Sequence, residues 1–108
     1  MMMKKGVNVL EAIEERLHGV LPEDGQALLY GSRARGDYRT DSDWDILILV
    51  NKEKLTSSDY DTLSYPLFEL GWELDEVINP VLYTQRDWER GHFTPFYKNV
   101  KQDSIRLL

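Results

Sequence analysis

The chain has 108 residues, a net charge of −6 and no cysteine. That length supports one compact core, and the missing cysteine excludes a disulfide scaffold, a thiol nucleophile and any thiolate-held metal. An apolar fraction of 42% with three Trp, six Tyr and three Phe excludes a disordered chain, and the acid excess excludes strong nucleic-acid binding, which draws on Lys and Arg.

The elements follow in chain order. Val9, Ile13, Leu17 and Val20 recur at helical spacing and predict a helix from Asn8 to His18, with Asn8 as cap and Gly19 as terminator. Leu21 to Gly25 reads as a turn, Ala27–Tyr30 as a short buried strand ending at Gly31, and Ser32–Gly36 as the opening of a helical turn. Asp37–Ser42 is a polar loop, and Trp44–Val50 carries the strongest strand pattern in the chain. Ser57 or Ser58 can cap a helix running to Leu70, with Pro66 as a kink and Gly71 as its end. Leu74–Tyr83 reads as a strand whose Pro80 favours an edge. Thr84 caps a short helix through Trp88, Pro95 opens a helix through about Gln102, and Ile105–Leu108 adds a short last strand. The expected architecture is α/β (α+β), a small mixed β-sheet covered by helices, in a single domain spanning 1–108. No targeting segment or membrane-length apolar run is visible, so a cytoplasmic protein that does not enter a membrane is expected.

The chemistry gathers between Tyr30 and Val50. Residues two apart on a strand share a face, so Asp43 and Asp45 project side by side with Trp44 opposite. Two carboxylates held close repel, and a hard divalent cation such as Mg²⁺ relieves that repulsion through oxygen ligands. Just upstream, Gly31 permits a sharp turn after a strand, and Ser32 offers a hydroxyl. The backbone N–H groups that follow can face an anion. Arg33 and Arg35 supply positive charge, and Gly36 permits close approach or positive φ. Arg33 has two open readings, phosphate contact or surface. A phosphate-gripping loop beside a metal-binding strand is what phosphoryl or nucleotidyl transfer requires.

Gly31-Ser32-x-x-Arg35-Gly36, six residues, then Asp43-x-Asp45-Ile46-Leu47-Ile48 resembles the signature of the nucleotidyltransferase superfamily, the DNA polymerase β-like enzymes. The small size resembles the minimal nucleotidyltransferases found as antitoxin partners of HEPN toxins. The resemblance implies a polymerase β palm-like fold and ATP as the nucleoside triphosphate. It implies that Gly31, Ser32, Arg35 and Gly36 hold the nucleotide, and that Asp43 and Asp45 bind two Mg²⁺ ions. A third carboxylate, on a later strand, completes the family's metal site and often serves as general base. Glu76 is the first choice for it here, with Asp75 and then Glu73 behind, since alternation alone does not say which face is the site. The implied reaction transfers AMP from ATP to a hydroxyl, with a tyrosine of a HEPN toxin as one acceptor. Two other readings stay open: a binding module that neutralises a toxin by contact, and a transferase acting on a small molecule such as an aminoglycoside.

Overall fold

The computed structural model describes residues 5–108, with side chains described from Val9 onward. Its elements are α1 (Lys5–Val20), β1 (Gln26–Tyr30), α2 (Ser32–Arg35), β2 (Trp44–Val50), α3 (Ser57–Asp59), a π-helical turn (Tyr60–Ser64), α4 (Tyr65–Leu74), β3 (Ile78–Thr84), α5 (Gln85–Arg90), α6 (Pro95–Asp103) and β4 (Ile105–Arg106). The four strands form one mixed sheet in the order β3-β2-β1-β4. β1 runs antiparallel to β2 and β4, while β2 and β3 are parallel, joined by the crossover through α3 and α4. The α/β expectation holds. No described helix is long and apolar enough to cross a membrane.

β2 is central, and its Ile46-Leu47-Ile48-Leu49-Val50 run is buried on both faces. Trp44, Ile46, Ile48 and Val50 face a large core with Val9, Ile13 and Leu17 of α1 and Leu67 and Leu70 of α4. Each such aliphatic side chain contributes about 1.5–3 kcal/mol by leaving water. Leu47 and Leu49 face a smaller core with Trp88 of α5 and Val100 of α6, edged by Tyr30, Tyr83 and Phe96. The acids Asp43 and Asp45 continue the alternation of this second face towards the start of β2.

Several predicted boundaries move. α1 is already helical at Lys5, so Asn8 lies inside it, and Gly19 does not end it. Thr56, not Ser57 or Ser58, caps α3: its hydroxyl accepts from the Asp59 N–H, and the Asp59 carboxylate accepts from the Thr56 N–H in return. Pro66 has no N–H to donate, and the chain accommodates it by widening the preceding turn into the π-helix. Gly71 does not end α4. A side chain there would meet the Glu76 carbonyl oxygen at 2.7 Å, so glycine allows the chain entering β3 to pack against the helix. Asp75 ends α4 in the left-handed conformation (φ 55°), its N–H bonded to the Gly71 carbonyl. Glu73 and Leu74 are therefore helical, and β3 begins at Ile78 instead of Leu74. Pro80 does sit on an edge strand, as expected.

Candidate active site

The two halves of the sequence motif meet in space. β1 and β2 pair with Tyr30 opposite Asp45, so the turn after β1 falls beside the start of β2. Gly31 adopts φ 76°, ψ −160°, a conformation open essentially to glycine alone. A Cβ on Gly31 would collide with the Asp45 carboxylate Oδ2. Glycine at this position thus serves both the turn and the space that Asp45 occupies. Ser32 opens α2, whose first turn has no side-chain cap, and Gly36 closes it in the left-handed region at φ 86°.

Asp43 and Asp45 lie on one face, as alternation predicts, and one side chain from β3 touches both. Asn79 pairs in register with Asp45, and its amide nitrogen lies 2.8 Å from Asp43 Oδ2 and 3.3 Å from Asp45 Oδ1. Carboxylates only accept, so the Asn79 amide donates to both. The two oxygens therefore converge on one small, positively polarised group. An all-oxygen pair of this kind, at the open end of a rigid strand, suits a hard divalent cation.

The structure does not bring Glu76 to this pair. Glu76 shares the parity of Ile78, and Ile78 faces the large core beside Trp44. The Trp44 indole N–H donates to Glu76 Oε1 at 2.8 Å, and Arg33 Nη2 lies 3.8 Å from the same oxygen with both side chains more than nine-tenths buried. Asp75 is the cap of α4, and Glu73 lies 3.4 Å from Arg16 on α1. On the site face of β3 the positions are Asn79 and Val81, with Val77 just before the strand. Among the described residues no group of three acids or histidines could hold a metal ion.

The two arginines separate. Arg33 is inside the structure. It donates to the Thr40 and Ser42 carbonyls and lies 4.2 Å from the Trp44 ring and 4.5 Å from the Tyr38 ring. It fixes the loop over 37–42, so neither sequence reading of Arg33 as phosphate contact or free surface describes it. Arg35 is exposed, its Nε 3.2 Å from Asp37. It stands at the rim of a cavity of about 220 Å³ between α2 and α6, lined by Tyr30, Gly31, Phe96, Asn99 and Asp103. Burial first, and then the Asp45 charge, pushes the Tyr30 phenol up to about 12, so it stays neutral beside Asp45.

A family model of the nucleotidyltransferase domain matches residues 8–106. The chain belongs to this family. A curated relative from Methanocaldococcus jannaschii, named "Putative protein adenylyltransferase", is 30% identical over 78 residues, covering 71% of this chain and 78% of that protein. Among solved structures, the chain is similar to one described as a toxin-antitoxin with AMP-PNP, at TM-score 0.65 and 21% identity, over 92% of this chain and 72% of that one. It is also similar to one described as a "putative nucleotidyltransferase" from Sulfolobus solfataricus, at TM-score 0.55 and 18% identity, over 97% of this chain and 87% of that one. At these identities the structural likeness is one of fold. In this nucleotidyltransferase enzyme the residues singled out from the sequence run from the turn after β1 through α2 to the start of β2, with Asn79 as the polar residue that sequence reading missed. Its one signal was being the polar residue inside the apolar run from Val77 to Tyr83, a signal that needs the strand register to be read.

Proposed function

We propose that this nucleotidyltransferase, acting as one domain over 1–108, transfers AMP from ATP to a hydroxyl of a protein acceptor and depends on Mg²⁺. The observation that carries the reading is the contact of Gly31 with Asp45, which sets the phosphate-loop candidates against the carboxylate pair. Asp43 and Asp45 would hold the cation, which offsets phosphate charge and lowers the pKa of a hydroxyl bound to it. Ser32 and the uncapped start of α2 would grip the outer phosphates, and Arg35 with Gly36 would bound that grip. The neighbouring cavity, with the Phe96 ring and the Asn99 and Asp103 side chains, is of a size for the nucleoside. In the reaction the acceptor oxygen bonds to the α-phosphorus, the bond to pyrophosphate breaks, and the hydroxyl proton passes to water. The acceptor we favour is a tyrosine of a HEPN-type toxin. The name of the archaeal relative and the description of the AMP-PNP-containing neighbour support a protein acceptor and a toxin partner. Tyr65, Phe68 and Trp72, an exposed aromatic stripe along α4, offer a surface for a partner. We favour the cytoplasm as its compartment.

A second reading is favoured by Asn79, which stands where a third carboxylate would be needed: neutralisation of the partner by contact, with weak transfer. Incubation with radiolabelled ATP and Mg²⁺, with and without the protein encoded by the neighbouring gene, separates the two. Label on that protein, lost by about 10³-fold in Asp43→Asn and Asp45→Asn, supports transfer. Tight binding without label, unaffected by either substitution, supports contact.

A further inference from the structure

The carboxylate pair has a neutral third neighbour, and this bears on how many cations the site can take. Asn79 is the β3 residue in register with Asp45, and its amide nitrogen reaches both aspartates, at 2.8 and 3.3 Å. Position 79 is therefore the place on β3 from which a side chain meets the pair. The acids nearest in sequence are committed elsewhere: Glu76 to the Trp44 indole on the other face, Asp75 to the cap of α4.

Two divalent cations in a nucleotidyl-transfer site sit about 3.5–4 Å apart. Their mutual repulsion is offset by the anionic groups between and around them. Two aspartates shared with a triphosphate can satisfy one such ion. A second ion, on the β3 side, would face an amide in place of a carboxylate. That amide adds no negative charge, and its N–H groups point at the same oxygens the ion would need.

We infer that this chain holds one divalent cation per bound nucleotide, and that Asn79 is the positioning residue that sets this number by standing, neutral, at the third corner of the site. The inference rests on the nucleotide reading proposed above and refines it. Asn79 keeps the two aspartates together through its donors, and one cation arrives with the triphosphate. Whatever charge a second cation needs must come with the acceptor.

Equilibrium dialysis with Mn²⁺ and α,β-methylene-ATP, whose α-phosphate cannot be transferred, counts both ligands on the protein side. The wild type is expected to retain one Mn²⁺ per nucleotide and Asn79→Asp two. A purely structural role for Asn79 would leave the ratio unchanged. Two Mn²⁺ per nucleotide in the wild type overturns the inference, and that measurement needs no variant to fold. One in both proteins also overturns it, while leaving the nucleotide reading intact. Failure of the wild type to retain any nucleotide overturns the nucleotide reading and this inference with it. A second readout is thermal: without metal, Asn79→Asp should melt below the wild type, and millimolar Mn²⁺ with the analogue should raise its melting temperature more than that of the wild type. Equal gains would count against the inference.

Discussion

The start of β2 presents two faces that solve opposite problems. On one, Asp43 and Asp45 converge without a basic partner among the described residues, joined by the neutral Asn79. On the other, one residue away, Trp44 is buried with a complete set of partners: the Arg33 guanidinium on its ring and the Glu76 carboxylate on its indole N–H. The acid that the chemistry would want beside the aspartates is spent on the structural face. The difference teaches that the site is left open on purpose of charge, while the cluster behind it is closed and supplies rigidity. Arg33 links the two, because it ties the Trp44 face to the loop that leads into Asp43.

The sharpest way to break this contrast is at Gly31. Its backbone lies in a region costing a non-glycine residue about 1–3 kcal/mol, and a Cβ would displace the Asp45 carboxylate. Gly31→Ala should lower stability by about that amount and, on the proposed function, reduce transfer about 10²-fold, because a small displacement of a reacting or binding group is expensive. Chemical denaturation read beside single-turnover labelling checks both. A variant as active as wild type would mean that Asp45 need not sit where the structure puts it.

Glu76→Gln reverses the emphasis. A hydrogen bond to a charged group is worth about 1.5–3 kcal/mol, and the Trp44–Glu76 bond is buried with Arg33 close by. Stability should fall by about 1–3 kcal/mol, with transfer by the folded protein within about threefold of wild type. A loss near 10²-fold in kcat at unchanged stability, the size expected for removing a general base, would return Glu76 to the catalytic side.

These two variants also mark what was legible in the sequence. The Gly31–Asp45 half was readable because each residue type there has a local reason: glycine after a strand, a hydroxyl at a turn, acids two apart before a buried run. The β3 half was not, because alternation alone does not say which face of the strand meets the aspartates. Gly71 looked like a helix end, yet it marks a close approach to the Glu76 carbonyl, and the helix runs on to Leu74. Asp75 then turns through the left-handed region and delays the strand to Ile78. That delay does not change the parity of Glu76, but it sets the register, and register alone places Asn79 beside Asp45. The helices and the core were legible from periodicity, with errors of a few residues at ends where tertiary packing overrides local capping signals.

A third carboxylate sharpens the contrast by being the opposite of Asp43 and Asp45: its cation is part of the chain. Asp59, buried near the far end of β2, lies 2.6 Å from the Lys52 ammonium and accepts from the Thr56 N–H. The Lys52 hydrogen bond first, and the Thr56 backbone bond second, hold its carboxyl below the usual carboxylate range. The folded state therefore binds the Asp59 proton more weakly than the unfolded chain does. The stabilisation is fully present above the ordinary aspartate value of about 3.9 and fades as pH falls through the lower folded value. Asp59→Asn should melt below wild type at pH 7, and the gap should narrow as pH falls below the ordinary aspartate value and through the lower folded one. At neutral pH Mg²⁺ should not change the gap, because Lys52 already fills the place a cation would take. A gap that persists unchanged in acid would mean that Asp59 acts through packing and capping geometry rather than through its charge.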